Sequence, residues 1–200
     1  MWHVINKICE IYRKNPFSIR TENILLYFMS IYSKSYTQGI YNPTKPEKCI
    51  NINGAMGSKC STITYRSSWE LKFMKFCDKY DSILEWGSEV LKVPYISEVD
   101  GKQHTYITDF YFVCREKTGK IVKYILEVKP KSQMPRLDEC GQILYPDPPK
   151  VRSQRALNAW QERCNVLRVN NSKWQAARRW CREHGFVFKV LTEEEIGINY

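Results

Sequence analysis

Two carboxylates and an amine in the middle of this 200-residue chain, Asp109, Glu127 and Lys129, are spaced so that they can meet. Residues 104–114 (HTYITDFYFVC) and 120–129 (KIVKYILEVK) are rich in aromatic and β-branched types and flank Lys117-Thr118-Gly119, which predicts a hairpin. With the turn centred on Thr118, Asp109 faces Glu127 across the ladder. Directly opposed side chains have Cβ atoms about 4.5–5.5 Å apart, where two like charges repel unless a cation lies between them. Strand alternation puts Lys129 on the face of Glu127 and turns Val128 toward the core.

That grouping suits hydrolysis of a phosphodiester. A hard divalent cation such as Mg²⁺, with Mn²⁺ expected to substitute, takes a few carboxylate oxygens and keeps several waters. It polarises a phosphoryl oxygen and lowers the pKa of water. Lys129 can position or help deprotonate the attacking water, or neutralise charge on the phosphate. Its neighbours should shift its pKa, in a direction the sequence does not fix. Glu70 is the candidate for a third acid, although a capping box also explains it: Ser67 is a good N-cap and Glu70 stands three residues later. The tripeptide E-x-K is common by chance. The opposed Asp109, the apolar run before Glu127 and the upstream helix give it weight.

The elements that must position these residues can be read in order. After Ser67, Trp69, Phe73, Phe76 and Tyr80 form one buried helical stripe. Two short strands follow, around Ile83–Trp86 and Glu89–Tyr95, with Asp100-Gly101 as the next turn. Beyond the hairpin lies a loop with Pro130, Pro135, Pro146, Pro148 and Pro149, long enough to be a lid or a DNA-facing loop. Helices are expected from Val151 to about Cys164 and from Ser172 to about His184, with Gly185 as the stop. Phe186–Val190 reads as a last strand, and Thr192 as the cap of a short final helix. The order predicts an α/β sandwich around a mixed sheet flanked by helices. Residues 1–60 read as an N-terminal extension and a long irregular arm wrapped on the surface, and 61–200 as the domain proper.

Composition narrows the partners. Residues 61–128 carry 10 basic and 10 acidic side chains, whereas 129–184 carry 12 and 5 and 1–60 carry 8 and 3. A neutral centre between basic segments suits a polyanion-binding surface around an acidic site, although positive charge alone also suits a solubilising surface. Arg66 precedes the helix cap and would meet a phosphate near Glu70. Lys131 follows the acidic strand, and Arg152, Arg155, Lys173, Arg178 and Arg182 supply the basic helical stretches. Trp174, Ala177 and Cys181 form a core stripe between them. With no base-reading motif, binding should be to duplex phosphates, tolerant of sequence and weakened by salt. The eight cysteines are scattered with no C-x₂-C pair, so they read as reduced structural thiols rather than a zinc site. No apolar run is long enough to span a membrane and no secretory signal opens the chain, so an aqueous cytoplasmic location is expected.

The acidic pair with E-x-K resembles the PD-(D/E)xK nuclease superfamily, with Thr108 where its proline usually stands. More closely, Tyr65–Asp78, Ile83–Glu89, Val93–Tyr95, Tyr124–Gln133 and Phe188–Glu195 look like blocks of the head completion nucleases of contractile-tailed phages. Gly39–Cys49 looks like that family's N-terminal arm, and the endonucleases that cut transposon ends are more distant relatives. The resemblance implies a restriction-endonuclease-like core. It also implies Glu70, Asp109, Glu127 and Lys129 as the catalytic set, with the three acids holding Mg²⁺. It further implies action on packaged DNA or its ends before neck and tail attach, with capsid, portal or neck proteins as partners. The setting would be the host cytoplasm or the virion. A structural head protein that keeps the fold but mainly binds DNA is the competing reading, and a transposon-borne end-cleaving nuclease a third. Residues 1–33 lie outside the resemblance, as an extension or an over-long gene start ahead of Met29.

Overall fold

The computed structural model describes residues 38–54, 62–151 and 153–192. The expected N-terminal extension, Arg152 and the final helix after Thr192 lie outside the described residues. The order is β1 (Gly39–Tyr41), α1 (Ile50–Asn53), β2 (Ile63–Tyr65), α2 (Ser68–Lys79), β3 (Ile83–Ser88), β4 (Lys92–Ile96), β5 (Gln103–Ile107), β6 (Phe110–Arg115), β7 (Ile121–Val128), α3 (Gln154–His184) and β8 (Phe186–Leu191).

A four-stranded mixed sheet of order β3-β6-β7-β8 forms the centre, antiparallel except for the parallel β7–β8 pair. Alternation along β6 sorts its side chains between two faces. Phe110, Phe112 and Cys114 pack with Phe73, Met74 and Cys77 of α2, whereas Tyr111 and Val113 face the opposite way with Ile50 and Phe186. Phe73 wedges between Phe110 and Phe112, with ring centroids 4.7 and 5.4 Å away. On the other side α3 covers the separate β4–β5 hairpin: Ala177 packs with Val93, Tyr95 and Tyr106. The α/β sandwich around a mixed sheet is thus the architecture found.

Three expectations change. The strand expected over 104–114 is two strands, broken at Thr108-Asp109, with β5 paired to β4 and only β6 in the central hairpin. The two C-terminal helices are one helix of 31 residues, about 46 Å long. Asn170-Asn171, in the gap expected before Ser172, disfavours a helix because such side chains compete for the backbone. Here the two asparagines bond outward, and Ser172 bonds both ways, its Oγ also donating to the Arg168 carbonyl one turn back (2.9 Å). Asn170 Nδ2 donates to the Gln133 carbonyl (2.9 Å), Asn171 Nδ2 to Glu98 Oε1 (3.4 Å), and Ser172 Oγ accepts from the Glu98 N–H (3.1 Å).

The arm, finally, is not merely wrapped on the surface. Tyr41, Cys49 and Ile50 are buried, and β1 pairs with β2. Gly87 permits this, since a Cβ there would stand 2.5 Å from Ile50 Cγ1. The described cysteines are all free, and all but Cys140 are buried. No helix among the described residues is long and apolar enough to cross a membrane.

Candidate active site

The hairpin register is the predicted one: Phe110 pairs with Leu126 and Arg115 with Ile121, so the ladder continued by one residue sets Asp109 against Glu127. Asp109 lies in the break before β6, where its Oδ2 accepts the Val128 N–H at 2.8 Å. Glu127 is 2% exposed, at the C-terminal end of β7. Lys129 Nζ bridges the pair, 3.0 Å from Glu127 Oε1 and 3.8 Å from Asp109 Oδ2. Its strand continues one residue beyond β7, the Lys129 N–H donating to the Leu191 carbonyl at 3.0 Å.

Two acids at close quarters face one ammonium, and the electrostatics follow from that count. Burial, reinforced by the charge of Glu127, pushes the Asp109 carboxyl up to about 7 against the opposing pull of Lys129 and the Val128 N–H. Lys129 feels burial in the lowering direction, but the charges of Glu127 and Asp109 outweigh it and raise its pKa. It is therefore an ammonium between two carboxylates, not a free amine. The donors fit a hard cation. Among the described residues nothing engages Asp109 Oδ1, and the pair carries more negative charge than Lys129 offsets.

Glu70 occupies the place expected of it but is turned to capping. Ser67 Oγ accepts the Glu70 N–H (3.1 Å) and donates to Glu70 Oε1 (2.9 Å), while Glu70 Oε2 accepts the Arg66 N–H (2.8 Å). Its charge still reaches Asp109 and Lys129. Among the described residues no group of three or more His, Cys, Asp or Glu side chains is gathered tightly enough to hold an ion. Of the three acids expected to hold a metal, Asp109 and Glu127 are brought together through Lys129, while Glu70 is engaged by Ser67 and Arg66.

The basic residues are less concentrated than expected. Arg66 is exposed and ion-paired with Glu89. Lys131 is exposed in a short 3-10 turn, Lys131–Gln133, directly after the site. Lys173 lies over the rings of Tyr106 and Tyr95, 5.7 and 6.0 Å from their centroids, behind Glu127. From there α3 runs away from the site. Arg178 sits over Phe188, whose strand partner is Ile125, and Arg182 is in the last turn before Phe186, which pairs with Lys123. At about 3.3 Å per residue, Lys123 is roughly 13 Å back along β7 from Glu127. Arg155 is exposed in the first turn of the same helix. The spacing that makes Arg178 and Arg182 neighbours is correct, but their end of the helix is the far one.

Two groups escaped the sequence. Tyr106 is buried and donates its hydroxyl hydrogen to Glu127 Oε2 at 2.5 Å. In one continuous strand it would point opposite to Asp109, so only the break at Thr108 reveals it. The Val128 N–H is a backbone donor with no sequence signature.

A family model described as "TnsA-like endonuclease N terminal" matches residues 80–193, a span that holds Asp109, Glu127 and Lys129 but begins after Glu70. The head completion nuclease of Enterobacteria phage T4 is 30% identical over 132 residues, covering 66% of this chain and 79% of that protein. No solved structure matches.

Proposed function

Because the chain belongs to the TnsA-like endonuclease N-terminal family, we propose that it is a divalent-metal-dependent DNA endonuclease that acts in phage head completion. The observation that carries the reading is the Asp109–Lys129–Glu127 grouping, in which Lys129 Nζ lies within 3.8 Å of both acids at the ends of two paired strands. Asp109 and Glu127, with Glu70 nearby on the start of α2, would hold Mg²⁺ or Mn²⁺, which supplies Lewis-acid charge at the phosphoryl oxygens and acidifies water. The protein's own groups do the rest. Lys129 offsets charge on the phosphate and orients the attacking water through its remaining N–H bonds. Tyr106 and the Val128 N–H fix the two carboxylates before substrate arrives, so that little reorganisation is left to the reaction. Exposed Arg66 and Lys131 flank the site and would grip the DNA backbone. The similarity to a head completion nuclease supports packaged duplex DNA as substrate, with head and neck proteins as partners in the host cell or the virion.

Incubating the purified protein with linear and supercoiled DNA, with Mg²⁺ or EDTA, tests this directly. Cleavage should require Mg²⁺ and fall by on the order of 10²-fold or more in Asp109→Ala. Binding without cleavage under every condition would instead favour a structural head protein on a nuclease fold.

A further inference from the structure

Glu89 is the one non-glycine residue with positive φ (56°) among the described residues. An L-residue held there costs about 1 kcal/mol or more, and a glycine would take the turn without that cost. The turn is pinned from both sides. The Glu89 N–H donates to the carbonyl of Asp109 at 3.0 Å. The preceding Ser88 exchanges two bonds with the Asn51 side-chain amide, each 2.8 Å. The chain thus spends strain on presenting a carboxylate, one hydrogen bond from the main chain of Asp109.

That carboxylate binds Arg66 Nη1. Arg66 in turn sits at the start of α2, its N–H on Glu70, and feels the charges of Glu70 and Asp109 as well. Only one corner of its planar fork is engaged by a protein acceptor among the described residues, and the side chain is 58% exposed. A guanidinium offers five N–H donors, so the opposite edge is left to a phosphate.

We propose that Glu89 is a positioning residue that holds Arg66 at the rim of the site, aiming its uncommitted edge at the phosphate of bound DNA. The inference rests on the nuclease reading, but its sign separates from it. Glu89 is an acid beside a DNA-binding surface, so simple electrostatics predicts that neutralising it tightens DNA binding. Positioning predicts the reverse.

The test is a double-mutant cycle of Arg66→Ala and Glu89→Ala, read as the affinity for fluorescently labelled duplex DNA in EDTA and as kcat and KM with Mg²⁺. Glu89→Ala should weaken affinity by several-fold, Arg66→Ala by about tenfold, and the pair no more than Arg66→Ala alone. Glu89→Gly should keep or raise Tm, because it relaxes the turn, while losing affinity to the same extent as Glu89→Ala. Tighter DNA binding by Glu89→Ala, or effects of the two substitutions that simply add, would overturn the proposal. Since affinity is read without cleavage, a failure of the nuclease activity leaves this outcome legible.

Discussion

Tyr106 and Glu127 meet from two different sheets: the phenol of β5 donates its hydrogen to the carboxylate of β7, and each residue is 2% exposed. With Lys129 on its other oxygen, Glu127 has both oxygens engaged before any substrate is present. The β4–β5 hairpin is thereby part of the site, although it contributes no residue to the central sheet.

Tyr106→Phe removes that bond while keeping the ring that packs with Val93, Tyr95 and Ala177. A buried oxygen deprived of its donor costs about 1–3 kcal/mol, so the urea midpoint should fall by an equivalent amount. Cleavage should lose kcat with KM for DNA nearly unchanged, because the phenol touches Glu127 and not the DNA. A variant with wild-type stability and kcat would show that the hydroxyl does not hold Glu127.

The raised Asp109 carboxyl makes a signed claim about pH. Its ordinary value is 3.8 and its folded value about 7, so its contribution to stability is present below the former and is lost as pH rises through the latter. Asp109→Asn removes the titration while keeping an oxygen for the Val128 N–H. In EDTA the variant should gain on the wild type between pH 5 and pH 8, by at most about 3 kcal/mol, because only the roughly two pH units below the folded value of about 7 contribute. Denaturant melts of both proteins at the two pH values measure it. Mg²⁺ should narrow the gap at pH 8, since a cation favours the ionised pair. A difference that stays flat with pH would refute the shift.

Much of this site was legible in residue types. The register of β6 on β7 followed from one turn, because Lys117-Thr118-Gly119 leaves few ways to close the hairpin and Gly119 takes φ 81° as such a turn requires. What was not legible depended on partners distant in sequence. That the gap expected between Cys164 and Ser172 is helical was not legible, because nothing local announces Gln133 and Glu98 as the partners of Asn170 and Asn171. The single strand over 104–114 failed for the same reason. Aromatic and β-branched residues run through Thr108 without interruption, and only the buried bonding of Thr108 to Leu91 marks the change of sheet, its N–H reaching the Leu91 carbonyl at 3.1 Å. Charge counts located a basic segment but not its direction, so Arg182 was assigned to a site from which α3 carries it away.

One buried acid, Asp78, gathers three of the hydrogen bonds that hold the arm to the domain. Asp78 Oδ2 accepts from Tyr41 Oη (2.7 Å), the Thr44 N–H (2.6 Å) and Thr44 Oγ1 (3.1 Å), and the residue is 2% exposed. Asp78→Ala strands all three donors and should cost about 3 kcal/mol or more, against about 1 kcal/mol for Tyr41→Phe. Because the two substitutions remove members of one network, Tyr41→Phe should add little on the Asp78→Ala background. Limited proteolysis should then cut within residues 38–54 sooner than in the wild type. The loss should reach the site as well, since Asn51 on the same arm bonds Ser88, beside Glu89. DNA affinity should therefore fall together with arm protection. An arm that stays protected in Asp78→Ala, with unchanged stability, would mean that the burial of Cys49 and Ile50 holds it without the acid.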